Sequence, residues 1–224
     1  MQNDKPILLD LFCGAGGAAV GYNRAGFDIV GVDINKQPNY PFEFIQADWE
    51  EPLYFLPGLW EREKRPYVIH ASPPCQAYSL LTNMWDKTIH SDLIPNVRER
   101  LKLINAPYVI ENVIGAPLLS PIKLCGTSFG LGVRRHRLFE LSDPPILFPP
   151  CNHYRHKAMR VTGNTGGSSK RDTEALFGTL EDWKISMGID WTITAFECKE
   201  AIPPAYTEWI GKYLIEYLRS KNAE

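Results

Sequence analysis

The apolar residues fall into short runs separated by glycine, proline and acidic punctuation, and the order of those runs predicts a chain that alternates strand and helix. Ile7 to Phe12 predicts a first strand, Cys13-Gly14-Ala15-Gly16-Gly17 a tight glycine turn, and the stretch through Ala18, Val20, Tyr22 and Ala25 a helix that Gly26 stops. Phe27 to Val32 predicts a second strand followed at once by Asp33, and Phe44 to Ala47 a third followed by Asp48. A fourth, Tyr67 to Ala71, runs into Ser72-Pro73-Pro74-Cys75. Asp92 to Ile104 predicts a helix with Leu93, Val97, Leu101 and Ile104 on one side, and Tyr108 to Glu111 a fifth strand. Strand, glycine turn, helix and strand make the first unit of an α/β fold of the nucleotide-binding kind.

The glycine turn lacks the G-x-G-x-x-G spacing that seats a pyrophosphate. Three acids instead stand at or near successive strand ends: Asp10, Asp33 and Asp48. Together they suit a ligand with a cationic amine, a ribose and an adenine amine, and S-adenosylmethionine has all three. Cys75 occupies the end of the fourth strand, where open α/β sheets gather reacting groups, on a loop stiffened by two prolines. A cysteine there can act as a nucleophile once its thiol is deprotonated.

Composition narrows the class without naming a partner. Twenty-four basic and 26 acidic residues leave a net charge of −2, and no apolar stretch reaches the roughly 18 residues of a membrane span. The amino-terminal residues lack a signal-peptide profile, so a cytoplasmic protein is expected. Five scattered cysteines suit free thiols. Cys151-x-His153-x-x-His156 shows no fourth ligand and matches no standard zinc spacing, so no metal site is expected.

Four motifs in order, Asp10-Leu-Phe-Cys-Gly-Ala-Gly-Gly, Pro74-Cys75-Gln76, Glu111-Asn112-Val113 and Arg135-His136-Arg137, resemble those of the DNA cytosine-5 methyltransferases. Ala201-Ile202-Pro203-Pro204 and the residues after it are similar to the family's last motif, although Glu200 stands where an asparagine is usual. The resemblance implies a Rossmann-like, S-adenosylmethionine-dependent methyltransferase fold and methylation of carbon 5 of cytosine in double-stranded DNA, with the base flipped out of the helix. It implies Cys75 as nucleophile, Glu111 as the acid facing ring nitrogen 3 and the exocyclic amine, and Arg137, with Arg135 beside it, at the base carbonyl. For the cofactor it implies Asp10, Phe12, Gly14 and Gly16 at the methionine end, Asp33 at the ribose, Ile34 and Asp48 at the adenine, and Ser72, Pro73, Ala201 and Ile202 around them. Gln76 and Ser79 are expected against DNA, and residues 80–90 form the expected mobile catalytic loop.

The resemblance covers about 1–141 and 190–224, which defines the expected catalytic domain. Residues 142–189, rich in proline, glycine and serine, form a small loop-rich insertion in the place of the family's target-recognition region. Between 123 and 171 there are nine basic residues and two acids, a net charge of +7 that leaves −9 for the rest of the chain. Arg155, Lys157, Arg160, Lys170 and Arg171 of this strip are expected to meet DNA phosphates. The compact motifs resemble stand-alone bacteriophage enzymes, and a monomer without a protein partner is expected. Three other readings stay open: methylation of RNA or a free nucleotide, of an exocyclic amine, and DNA binding without catalysis.

Overall fold

The computed structural model describes residues 5–75, 78, 92–143, 147–154, 157–163, 165 and 175–221. The expected catalytic loop at 80–90 lies outside them, as do Gln76, Ser79, Arg155, His156, Lys170 and Arg171. Strands β1 (Ile7–Leu11), β2 (Asp28–Asp33), β3 (Glu43–Gln46), β4 (Tyr67–Ala71), β5 (Tyr108–Asn112), β6 (Ile122–Leu124) and β7 (Arg137–Leu141) form one sheet in the order β3-β2-β1-β4-β5-β7-β6. The first five are parallel, and β7 runs against both β5 and β6. This is the mixed α/β, Rossmann-like architecture expected of the sequence.

Alternation along β1 sorts its side chains between two cores. Leu8 faces the side covered by helices α1 (Gly17–Ala25) and α6 (Pro204–Lys221), with Tyr22, Phe27, Tyr206, Ile210 and Leu214. Ile7, Leu9 and Leu11 face helices α2 (Leu56–Arg62) and α3 (Ile94–Ile104), with Trp60, Val97 and Leu101. Burial on both faces explains why these strands read as continuous apolar runs.

Helices α1 and α6 touch because Gly21 has no side chain. A Cβ at Gly21 would fall well inside van der Waals contact with the Pro204 carbonyl and the Thr207 hydroxyl. Gly21→Ala is therefore expected to cost about 2–3 kcal/mol by overpacking and to lower Tm by about 5–10 °C, measured by calorimetry.

The expected insertion at 142–189 contains more regular structure than its composition suggested. Two short parallel strands, β8 (Ala158–Met159) and β9 (Ala175–Leu176), precede helix α4 (Leu180–Met187), which carries a Thr179–Asp182 capping box. Trp183, Met187 and Ile189 join Val133, Val161, Ile193 and Ala201 in a third apolar cluster, which extends to Ala15 of the glycine turn and Cys198 of helix α5 (Ala195–Glu200). Among the described residues no helix is long and apolar enough to cross a membrane.

Candidate active site

A cavity of about 350 Å³ opens where β1 and β4 part, at the carboxyl ends of the parallel strands. Its wall brings together twelve of the residues singled out from the sequence. Asp10, Phe12, Gly14, Asp33 and Ile34 come from the β1 and β2 ends, Ser72, Pro73 and Cys75 from the β4 end, and Glu111, Arg137, Ala201 and Ile202 close it. Arg137 reaches this edge by starting β7, because the strand is antiparallel to β5.

Three predicted residues stand elsewhere. Gly16 adopts φ +91°, and a Cβ there would press on Tyr40 and Pro41, so it serves the turn and not the cavity wall. Asp48 is exposed, off the wall, and its Oδ1 accepts the Glu50 N–H at 3.1 Å, capping a turn. Arg135 precedes β7, is half-buried, and donates to the Lys199 carbonyl at the end of α5. Burial pushes its guanidinium down to about 9, against the pull of Glu111 and Glu200.

At the β1 end of the cavity, Asp10 is 1% exposed, and its Oδ1 has no hydrogen-bond partner among the described residues. Its Oδ2 lies 3.4 Å from the Tyr40 hydroxyl, and burial raises the carboxyl to about 8. An unpaired buried carboxylate oxygen is costly and suits a cationic amine. Asp33 holds the glycine turn by accepting the Gly14 N–H at 3.2 Å and the Asn35 N–H at 2.9 Å, while the exposed Ile34 side chain beside it offers an apolar platform. This donor set fits the amine, ribose and flat base of S-adenosylmethionine.

At the other end, Cys75 is half-buried, and burial raises its thiol above the ordinary value. Arg137 opposes that rise, and Glu200 and Glu111 add to it. Glu111 is 5% exposed, and burial raises its carboxyl despite Arg137. Arg137 Nε lies 3.0 Å from Glu111 Oε1, yet that oxygen makes no hydrogen bond, so the guanidinium is beside it without pointing at it. The buried Glu111 carboxyl and the Cys75 thiol thus line the same cavity, with Arg137 between their charges.

Sequence reasoning missed the groups that hold these in place. His70 Nδ1 is 3.0 Å from the Tyr22 hydroxyl and Nε2 is 2.8 Å from Ser72 Oγ, a row that leads from two wholly buried rings to the cavity wall. Burial drives His70 to about 3, so the ring is neutral; with Tyr22 donating to Nδ1, Nε2–H donates to Ser72, which hydrogen-bonds Glu111. Asn112 Nδ2 donates to the Pro73 carbonyl at 2.8 Å and anchors the Cys75 loop to β5. A second cleft, sharing Arg137, is lined by Arg134, Arg135, Arg160 and the backbone near β8. Lys157 is exposed close by in sequence.

Residues 7–117 match the family described as C-5 cytosine-specific DNA methylase. The chain belongs to that family. The match spans the glycine turn, the Cys75 loop and Glu111, three of the four motifs read above. The chain is 30% identical over 125 residues to the Type II methyltransferase M.XorII of Xanthomonas oryzae pv. oryzae, covering 50% of this chain and 29% of that one. It is 24% identical over 202 residues to the Type II methyltransferase M.AgeI of Thalassovita gelatinovora, covering 75% of this chain and 46% of that one. The methylase chain therefore spans less than half the length of either relative.

Proposed function

We propose that this chain transfers a methyl group from S-adenosylmethionine to carbon 5 of cytosine in double-stranded DNA, through base flipping and a covalent Cys75 adduct at carbon 6. The observation that carries the reading is one cavity walled by a thiol, a buried acid and an arginine, and at its far end by the buried Asp10, whose Oδ1 has no hydrogen-bond partner among the described residues.

Carbon 5 of cytosine is a poor nucleophile. Attack of the Cys75 thiolate on carbon 6 makes the ring electron-rich at carbon 5. Protonated Glu111 donates to ring nitrogen 3, its free oxygen accepts the exocyclic amine, and Arg137 draws charge onto the base carbonyl. The cofactor, when bound, supplies the electrophilic methyl group. After methyl transfer, solvent takes the carbon 5 proton, its bonding electrons re-form the ring double bond, and the carbon 6–sulfur bond breaks to release Cys75 as thiolate. Arg160, on the second cleft, would meet DNA phosphates, as would Lys157, Arg155, Lys170 and Arg171 of the same basic strip.

Asp10 makes cofactor binding pH-dependent in a calculable sense. With its folded value near 8, Asp10 is about nine-tenths protonated at pH 7, and the cationic amine of the ligand requires it ionised. Binding at pH 7 is expected to release close to one proton, and affinity to rise about tenfold per pH unit from 5 to 7 and peak near 8. Calorimetry in buffers of different ionisation enthalpy measures the proton count, and Asp10→Asn should abolish it. A buffer-independent enthalpy for the unaltered chain would count against this role.

Methylation-sensitive sequencing of DNA from cells expressing the chain tests the whole reading. New 5-methylcytosine at one short sequence is expected. Unmodified DNA together with 5-methylcytosine in RNA would shift the substrate to RNA.

A further inference from the structure

Four side chains converge outside the cavity just described. Cys125 lies at the end of β6, His136 immediately before β7, and Cys151 and His153 on the segment that returns from the far end of β7. Their donor atoms all lie within 4.8 Å of one another. Cys125 Sγ is 3.3 Å from His153 Nε2, and Cys151 Sγ is 3.7 Å from His136 Nε2. The two imidazole rings tilt by 38° with centroids 5.1 Å apart, so each turns a nitrogen toward the same space.

We propose that these residues form a tetrahedral zinc site. A regular tetrahedron with zinc–sulfur bonds of about 2.3 Å and zinc–nitrogen bonds of about 2.0–2.1 Å separates its sulfur and nitrogen ligands by about 3.6 Å. The two sulfur–nitrogen distances given above bracket that value. Two thiolates and two neutral imidazoles are a standard zinc donor set, and two thiolates balance the ion's charge. Supporting donors surround it: Thr127 Oγ1 is 3.2 Å from Cys125 Sγ, and Arg134 and Arg137 donate to the backbone carbonyls of His153 and His136 at 3.3 and 3.0 Å. Cys125 is 1% exposed and the quartet lines neither of the two large clefts, which disfavours a reactive thiol and favours a closed structural centre.

The position gives the site a task. β7 carries the chain from the reacting edge at Arg137 to the far edge, where the Ser142 N–H donates to the Tyr108 carbonyl. The chain then has to return, and over 147–150 it does so without helix or strand and with Leu147 93% exposed. A metal at Cys151 and His153 would fasten that return to His136, one residue from Arg137, and to the end of β6. The site thus ties the recognition insertion to the strand that positions a base-contacting arginine.

The test is metal content of the full chain, purified reduced and without chelator, which is independent of whether it methylates anything. About one zinc per chain is expected. Cobalt loading should give the intense d–d bands of a tetrahedral centre and a thiolate-to-cobalt charge-transfer band. Cys151→Ser and His153→Ala should each lose most of the metal, whereas His156→Ala, which removes the third member of the sequence-adjacent trio, should keep it. If Cys151→Ser does not fold, the cobalt spectrum of the unaltered chain decides. Less than a tenth of a zinc per chain with no thiolate–cobalt band, a Cys125–Cys151 disulfide in the reduced preparation, or full metal retention in a folded Cys125→Ser, Cys151→Ser double variant would each overturn the proposal.

Discussion

Cys75→Ala is expected to reduce methyl transfer to duplex DNA at least about 10⁴-fold and to abolish the covalent complex that the unaltered chain forms with duplex carrying 5-fluorocytosine. The fluorine at carbon 5 cannot leave as a proton, so the cysteine adduct cannot eliminate after methyl transfer and survives denaturing electrophoresis. Because burial leaves Cys75 a thiol at rest, adduct formation should quicken as pH rises. A trapped complex with Cys75→Ala, or methylation within tenfold of the unaltered rate, would remove Cys75 from the reaction.

Glu111→Ala is expected to lower the rate by about 10²–10⁴, the range for a lost acid–base group, with Glu111→Gln in between because an amide can still donate. The pH profile tells more than the rate. Burial shifts both groups toward their protonated forms, and the reacting form, thiolate with protonated Glu111, needs the thiol to lose its proton while Glu111 keeps its own. The profile should be bell-shaped, rising as the thiol ionises or limited by it, and falling where Glu111 ionises, with its apparent values belonging to the pair. Arg137 favours the charged form of both groups, so Arg137→Ala should move both limbs to higher pH. A profile unmoved by Arg137→Ala would show that the guanidinium does not act on this pair.

The strand ends were legible because in a parallel sheet buried on both faces the apolar runs stop where the chain leaves the core, and Asp33, Ser72 and Glu111 stand at or next to those stops. Asp10 shows the limit of that reading. The sequence pattern predicts a strand-end acid, but Asp10 lies inside β1, opposite Gly31 and His70, and its chemistry comes from burial. Arg135 and Arg137 are two apart, which in a strand would put them on one face; β7 starts only at Arg137, so the rule did not reach Arg135. Tyr40 sits in an irregular stretch and His70 in an ordinary strand, and nothing in local pattern distinguishes either from filler. The second half of the metal quartet was hidden for a different reason: Cys125 and His136 approach Cys151 and His153 only through the pairing of β6 with β7. The charge strip also changed meaning, since Arg135 is half-buried against the Lys199 carbonyl and Glu140 is held by Arg98 at 2.7 Å, leaving the exposed positive charge farther along the chain.

One reversed strand separates two problems that the enzyme has to solve. With β7 antiparallel, its first residue lines the cavity and its last residue is a strand's length away, anchored to the start of β5. Everything grafted after Leu141 therefore hangs from a point remote from the chemistry and comes back to it as a separate arm. Under the proposed function, the part of that arm beyond His153 can change in length or sequence while the pairing of β7 with β5 and β6 keeps Arg137 in place, so the target sequence and the reacting edge can vary separately.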